Sequence, residues 1–332
     1  MKVVFFDTHK FEIEVVKKQN STSQFDLQFL EPRLNLSTVS LAAGAQAICC
    51  FVNDHIDEAV CKKLSEMGVG LIALRCAGYN NVDLAAAAKY NIKVTRVPEY
   101  SPHAVAEHAV GLALCLNRKL HRAYYRIHEL NFSLDGLVGF DFHKKTVGVI
   151  GTGKIGKVFA QIMSGFGCEV LLLDKFPDLA FAQKIGARYV DLQNLLKSSD
   201  LISLHCPLNK ETHHLISEKN INQMKDGVMI INTGRGALID TKALIEGLKN
   251  RKIGSAGLDV YEEEEQVFFK DLSESVLSDD LLARLLTFPN VMITSHQAFL
   301  TKEALHNIAE TTFNNLQAFN AKTKLPNEVE TR

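Results

Sequence analysis

The sequence predicts an α/β fold built from two doubly wound parallel-sheet domains. Short apolar runs rich in β-branched residues alternate with amphipathic segments along most of the chain, which is the pattern of repeated βαβ units. A length of 332 residues is long for a single hydrophobic core and indicates two domains. A glycine-rich strand-to-helix turn within 146–156 marks one of them.

The first domain begins at the N-terminus and has the alternation of a flavodoxin-like unit. Its predicted strands are Val3–Phe6, Ala47–Phe51, Leu71–Leu74 and Ile92–Thr95, and its predicted helices are Ile56–Met67 and Asp83–Tyr90. The loop 75–83 follows a parallel strand at its carboxyl end, where α/β proteins bind ligands. The alternative is a plain turn that caps the next helix.

Two prolines in Val97–Pro102 mark a boundary between the domains. Ser101 and Pro102 suit the N-cap and first position of a helix, so one long helix is predicted over 102–129. A last amphipathic helix, 301–319, is expected to return to the first domain. Residues 1–100 and 300–332 are therefore assigned to a substrate domain, and 101–299 to a second domain inserted into it.

The inserted domain has the order of elements of a Rossmann fold. Its predicted strands are 146–150, 169–173, 201–204, 228–232, 254–258 and 291–294, and its predicted helices are 154–166, 179–185, 191–197, 241–250 and 280–286. Six parallel strands with helices between them fit one doubly wound sheet.

The first turn of this domain has the spacing G-x-G-x-x-G at Gly151, Gly153 and Gly156. The first glycine permits a tight turn, the second lets a pyrophosphate approach the backbone, and the third lets the helix pack closely. The helix N-terminus offers N–H groups and a partial positive charge to the phosphates. Asp174, at the end of the next strand, suits an adenosine ribose and favours NAD over NADP, although Lys175 weakens that preference.

Composition argues against several classes of partner. Formal net charge is −1, which does not favour a nucleic-acid or membrane surface built on bulk charge. No apolar run approaches the roughly 18 residues of a membrane span, and the apolar N-terminal run is too short for a signal peptide. We therefore expect a cytoplasmic protein with a small-molecule partner, no nucleic acid and no membrane.

The seven cysteines are odd in number, and none has C-x-x-C spacing. Most lie in apolar runs, so reduced, buried thiols are expected, without a disulfide framework and without a metal site.

Three loops that follow strands of the inserted domain carry ionisable groups: Arg235, the run Glu262–Glu265 after Asp259, and His296. Carboxyl ends of parallel strands share one sheet edge. There a guanidinium can bind a carboxylate through two hydrogen bonds, and an imidazolium can give a proton to a ketone as hydride arrives. Taken singly, such a residue is more often structural or solvent-exposed. The convergence of all three on one sheet edge favours a catalytic role.

Five motifs together carry a resemblance: Gly151–Gly156, His205–Leu208, Asn232–Gly236, Gly257–Glu262 and Ser295–Phe299. A chain with these motifs in this order resembles the D-2-hydroxyacid dehydrogenases. The segments 75–83, 131–134, 268–269 and 297–301 make it similar to the fermentative bacterial D-lactate dehydrogenases within that family. The resemblance extends over nearly the whole chain.

The resemblance implies a role for each matching position. Arg235 would bind the substrate carboxylate, His296 would be the acid/base, and Glu264 would be its partner, with Glu262 and Glu263 as competitors. The implied NAD site consists of the three glycines with Lys154, Ile155, Asp174, Cys206, Pro207, Thr233, Gly234 and Asp259. The implied substrate pocket adds Ala77, Gly78, Tyr100 and Phe299.

The expected activity is therefore NAD-dependent reduction of pyruvate to D-lactate by a homodimer or homotetramer. One alternative is a dehydrogenase of the same family for a bulkier 2-oxo acid. The other is a binding protein that senses NAD(H) without catalysis, as in related transcriptional co-repressors.

Overall fold

A computed structural model describes residues 1–329 of the chain, apart from the side chain of Gln266. The chain divides into two compact units. One comprises Met1–Ser101 together with the chain from Leu300 onward, and the other comprises Pro102–Phe299. The second unit is thus inserted in sequence between the two parts of the first.

Strands and helices alternate through both units. The strands are β1 Lys2–Phe5, β2 Asp26–Phe29, β3 Ala47–Cys50, β4 Leu71–Leu74, β5 Lys93–Thr95, β6 Thr146–Ile150, β7 Glu169–Leu173, β8 Arg188–Tyr189, β9 Leu201–Leu204, β10 Val228–Asn232, β11 Ile253–Leu258 and β12 Val291–Ile293. The helices are α1 Lys10–Asn20, α2 Glu58–Glu66, α3 Leu84–Lys89, α4 Pro102–Asn117, α5 Leu120–His128, α6 Lys154–Gly165, α7 Leu179–Ile185, α8 Leu192–Ser198, α9 Glu218–Ile221, α10 Thr241–Lys249, α11 Asp280–Leu286 and α12 Lys302–Asn320.

The first unit is built on a five-stranded parallel sheet in the order β2-β1-β3-β4-β5. This is the strand order of flavodoxin-like folds. Alternate residues of the strands face opposite sides. Val3 and Phe5 pack with residues of α1 and α12, whereas Val4 packs with residues of α2 and α3. Helices therefore cover both faces of the sheet.

The second unit is built on a seven-stranded parallel sheet in the order β12-β11-β10-β9-β6-β7-β8. Reading from β8, this is the Rossmann strand order with one further strand at the β12 edge. One face packs against α4 and α6 and the other against α8, α10 and α11. The α/β class and both doubly wound parallel sheets are confirmed.

Some elements of the structure were not predicted from the sequence. Among them are strand β2 and helix α1 in the first unit, and strand β8 in the second. α1 buries only Glu12 and Val16, so it has no continuous apolar stripe. β2 and β8 are edge strands of four and two residues, too short for a periodic signal.

The long helix predicted over 102–129 is two helices. α4 ends at Asn117 and α5 starts at Leu120, and Lys119 between them has a φ of +49°. A left-handed lysine is incompatible with a continuous right-handed helix. In the sequence, apolar residues continue at helical spacing beyond the end of α4. The break between α4 and α5 was therefore not visible from the sequence.

Of the seven cysteines, Cys49, Cys50, Cys61 and Cys76 are buried, as expected, and the other three are half-buried. Within residues 1–329, no helix has both the length and the apolar character needed to cross a membrane.

A buried ion pair connects the missed helix α1 to the carboxyl edge of the first sheet. Arg75, just after β4, is only 2% exposed, and its Nε and Nη2 donate to the two carboxylate oxygens of Glu12 at 2.7 and 2.9 Å. Nη2 also donates to the carbonyl of Asp7 at 2.6 Å, and the guanidinium lies over the ring of Phe51. Glu12 therefore supplies the charge that permits burial of Arg75.

Glu12→Gln should lower the free energy of unfolding by roughly 3–5 kcal/mol, because it leaves the Arg75 charge buried without a counter-charge. Glu14→Gln is the matched control on the same helix, since Glu14 is 84% exposed and, among residues 1–329, pairs only with Lys17. Its effect should stay below about 0.5 kcal/mol. Urea unfolding of both variants measures the difference, and equal stabilities would contradict a structural role for the buried pair.

Candidate active site

The three glycines of the turn after β6 differ in what surrounds them. Gly151 has a φ of +93°, and a Cβ there would overlap the backbone at His205 and Cys206. A Cβ on Gly156 would overlap the carbonyl oxygen of Gly151. Gly153, the N-cap of α6, has no atom within 4 Å of where its Cβ would lie. The fold therefore requires glycine at positions 151 and 156, whereas Gly153 leaves open space beside the N-terminus of α6.

The end of β7 supplies the predicted acid, Asp174. Its Oδ2 accepts hydrogen bonds from the backbone N–H and hydroxyl of Thr152, at 2.5 and 3.1 Å, and its Oδ1 accepts from the N–H of Phe176 at 2.9 Å. Burial opposes ionisation, but these hydrogen bonds outweigh it and lower the pKa of Asp174. Lys175, which follows it, lies 3.5 Å from Glu211.

Tyr189 on β8 is a site residue that the sequence did not reveal. Its hydroxyl lies 2.8 Å from the Thr152 hydroxyl and accepts a hydrogen bond from the N–H of Asp178 at 3.0 Å. It thereby connects the glycine turn to the segment after Asp174. A strand of two residues carries no pattern that would have indicated it.

The loop after β9 contains His205, Cys206 and Pro207. The His205 ring packs on Phe159 and lies 2.8 Å from the Ser203 hydroxyl, and its desolvation lowers its pKa to about 3. Burial, with a smaller contribution from Asp174, raises the pKa of Cys206 to about 11. Both side chains are therefore neutral near pH 7, and the Cys206 thiol is not an activated nucleophile.

The loop after β10 is closed by Asn232, which is completely buried. Its Oδ1 accepts from the N–H of Gly234 at 3.0 Å, and its Nδ2 donates to the carbonyl of Arg235 at 2.9 Å. The buried hydroxyl of Thr233 has no hydrogen-bond partner among the described residues. Arg235 donates from Nη1 to the carbonyl of Gly234 and forms no ion pair with a carboxylate of residues 1–329.

His296 and Glu264 form a close pair. Nδ1 of His296 lies 2.7 Å from Oε1 of Glu264, and Oε2 of Glu264 accepts a hydrogen bond from the N–H of Tyr261 at 3.0 Å. Glu262 lies instead against His214, at 2.6 Å. Of the competing acids in the run, Glu264 is therefore the one that contacts His296.

The loop that carries His296 is held by Asp259, a completely buried residue after β11. One oxygen accepts from the hydroxyl of Thr294 at 2.6 Å and from the N–H of Gln297 at 2.8 Å, and the other accepts from the N–H of Ala298 at 2.9 Å. His296, within this loop, has a φ of +49°. In this structure the Asp259 carboxylate supports the histidine loop, and a direct contact with the cofactor stays a prediction.

The remaining predicted residues fall in two places. Lys154 and Ile155 form the first turn of α6, and Phe299 is the last residue of the second unit. Ala77, Gly78 and Tyr100 belong to the first unit. The backbone N–H groups of Ala77 and Gly78 donate to no other group in the described part of the chain.

The comparisons with known proteins establish the family of the chain. A family model for the NAD binding domain of the D-isomer specific 2-hydroxyacid dehydrogenases matches residues 110–298. The chain belongs to this family. It is thus an NAD-dependent dehydrogenase, and the open space at Gly153 and the unpartnered Thr233 hydroxyl fit a dinucleotide.

Individual relatives match over essentially the full length. The D-lactate dehydrogenase of Escherichia coli is 50% identical over 99% of this chain and 100% of its own. A structure of the pyruvate reductase of Chlamydomonas reinhardtii is 43% identical, covers 98% of both chains and superposes with a TM-score of 0.93. The D-lactate dehydrogenase of Lactobacillus jensenii with NAD⁺ is 33% identical, covers both chains fully and gives a TM-score of 0.83.

Alanine at two of the glycines should separate folding from cofactor binding. Gly156→Ala should destabilise the protein by roughly 1–3 kcal/mol or more, because its Cβ overlaps backbone. Gly153→Ala should change stability by less than about 1 kcal/mol but weaken NADH binding by about tenfold or more, because its Cβ would occupy the space open to the pyrophosphate.

Thermal unfolding and titration of NADH fluorescence measure the two effects. An unchanged NADH affinity in Gly153→Ala would contradict the assignment of that space to the cofactor.

Proposed function

We propose that this chain reduces pyruvate to D-lactate with NADH. The observation that carries the proposal is the pair His296–Glu264, 2.7 Å apart, in a unit that belongs to an NAD-binding family. The names of its relatives, D-lactate dehydrogenase and pyruvate reductase, support pyruvate as the substrate.

His296 is the proposed proton donor. Its Nδ1 faces Glu264, so Nε2 is the nitrogen left to face a substrate. In pyruvate reduction the imidazolium gives its Nε2 proton to the ketone oxygen as hydride arrives at the carbon. Glu264 stabilises the positive charge and fixes the ring orientation, as the acid of a catalytic triad does. Lactate oxidation uses the same pair in reverse, with neutral His296 as the base.

Arg235 is the proposed anchor for the substrate carboxylate. It forms no ion pair with a carboxylate of the described residues, so its charge is available to a ligand. The unused N–H groups of Ala77 and Gly78 are suited to the same carboxylate. Tyr100 and Phe299 are proposed to enclose the substrate methyl group. We propose that residues 1–100 and 300–332 form the substrate domain. Residues 101–299 form the NAD-binding domain, which also contributes Arg235, His296 and Phe299 to the substrate site.

The cofactor roles follow the family. NADH supplies hydride when bound, and this chain's own residues orient and shield it. The helix N-terminus at Gly153 suits the pyrophosphate, and Asp174, an ionised carboxylate, suits ribose hydroxyls and repels a 2′-phosphate. We assign Lys154, Ile155, Cys206, Pro207, Thr233 and Gly234 to the remainder of this site.

The proposal includes a homo-oligomer in the cytoplasm, as a dimer or tetramer. Large apolar side chains are exposed on α5 and just beyond it: Tyr124, Tyr125, Leu130, Phe132, Leu134 and Val138 are each 62–82% exposed. A monomer rarely leaves this many apolar side chains in water within one segment.

A panel of 2-oxo acids tests the activity. With NADH, kcat/KM should be highest for pyruvate, lower for 2-oxobutyrate and lowest for phenylpyruvate, and NADPH should be the poorer cofactor. A preference for phenylpyruvate would favour the alternative of a bulkier substrate, which a structural relative named D-2-hydroxyisocaproate dehydrogenase keeps open. Tight NADH binding without turnover of any acid would favour the NAD(H)-sensing alternative.

Glu264→Gln tests the proton-transfer pair while keeping the shape of the side chain. The rate of pyruvate reduction should fall roughly tenfold to hundredfold. Without its carboxylate, residue 264 no longer stabilises the positive charge on the His296 ring. Lactate oxidation uses the same pair, so its rate should fall as well.

Glu263→Gln is the matched control, because Glu263 is an exposed neighbour whose side chain forms no hydrogen bond or ion pair with the described part of the chain. His296→Ala should remove most of the rate in both directions and leave NADH binding intact. Unchanged rates in Glu264→Gln would mean that His296 works without this partner.

A further inference from the structure

A second cluster of ligand-type side chains lies in the same unit as His296. His213, His214 and Glu262 each offer one atom, and these three atoms all lie within 4.8 Å of one another. None of the three was assigned to hydride transfer above. Two imidazoles and one carboxylate form a donor set that proteins use for zinc.

The backbone brings the two adjacent histidines to one side. Successive side chains of an extended segment point in opposite directions. His214, however, has a φ of +52°, and the two rings stack with centroids 3.9 Å apart. A left-handed conformation is unfavourable for histidine and persists only where surrounding contacts hold it. Here the N–H of His214 donates to the carbonyl of Ala237 at 2.8 Å, and that of His213 to Asn209 at 2.9 Å.

The carboxylate is oriented by a further residue. Oε1 of Glu262 lies 2.6 Å from Nε2 of His214, and Oε2 accepts a hydrogen bond from the hydroxyl of Thr241 at 2.9 Å. Burial opposes ionisation of Glu262, but the hydrogen bonds from His214 and Thr241 outweigh it and lower its pKa. Metal-binding carboxylates are usually held in this way by a second side chain.

We propose that His213, His214 and Glu262 bind one divalent transition-metal ion of the Zn²⁺ class. The ion would insert between Nε2 of His214 and Oε1 of Glu262, take the ring of His213 as a third ligand, and keep its fourth position for water. Two nitrogen donors out of three select against Mg²⁺ and Ca²⁺, which require oxygen ligands. The expectation of no metal site rested on cysteine spacing, which this cluster does not use.

An ion bound at this position would stabilise the folded chain. It would connect the chain after the Cys206 loop to the turn two residues before Glu264. Because the ligands are brought together only in the folded chain, bound ion should raise the melting temperature. This effect does not depend on which 2-oxo acid the enzyme reduces.

Binding to tag-free, metal-stripped full-length protein with NADH bound tests the proposal. Isothermal titration with Zn²⁺ should give one site per chain with a Kd in roughly the micromolar range. Co²⁺ in place of Zn²⁺ should give the visible absorption of a tetrahedral ion without a thiolate charge-transfer band. His213→Asn should raise the Kd about tenfold or more and abolish the rise in melting temperature.

His306→Asn is the matched control, because His306 is an exposed histidine of α12 without a side-chain partner among the residues that the structure describes. This variant should bind Zn²⁺ as the wild type does. Glu262→Gln provides a second test that keeps the side-chain shape and should weaken binding at least as strongly as His213→Asn. Equal Kd values for wild type and His213→Asn, a thiolate band with Co²⁺, or no binding below about 1 mM Zn²⁺ would each overturn the proposal.

Discussion

The buried carboxylate of Asp259 is the constraint on which the rest of the active-site geometry depends. It accepts three hydrogen bonds, all from the loop that carries His296. That loop holds His296 at a φ of +49°, a strain of about 1–3 kcal/mol. Hydrogen bonds to a charged group contribute about 1.5–3 kcal/mol each. Three of them outweigh the strain, so the left-handed histidine is stable without a ligand.

The same arrangement recurs along the sheet edge. Asn232, the last residue of β10, and Asp259, just after β11, are both completely buried. Both use their side chains to close a loop rather than to contact solvent. Asn232 fixes the turn that ends in Arg235, and Asp259 fixes the loop that contains His296. A buried polar residue at the end of each strand thus sets the position of an ionisable residue in the loop. Rigid support of this kind is what precise proton transfer requires.

Prediction from sequence succeeded where only one residue type can meet a structural requirement. Gly151 and Gly156 are required by backbone contacts that any side chain would disrupt. Their spacing, together with the strand before them and the helix after them, located the turn. It failed where stability comes from tertiary contacts. α1 is anchored by the Glu12–Arg75 pair, whose members are 63 residues apart in sequence. Tyr189 lies on a two-residue edge strand, and its hydroxyl contacts Thr152 in the glycine turn. Neither this contact nor the Glu12–Arg75 pair leaves a local sequence pattern.

The four consecutive glutamates illustrate the limit most clearly. A run of like charges normally indicates a solvated face, and Glu262, Glu263 and Glu264 were all candidate partners for His296. In the structure, a tight turn sends neighbouring members to different partners. The N–H of Tyr261 holds Glu264, whose other oxygen meets His296, while Glu262 reaches His214 and Thr241. Glu263 and Glu265 are the exposed members. The family resemblance had favoured Glu264. The turn explains that choice, because a shift of one residue would point the wrong carboxylate at the histidine.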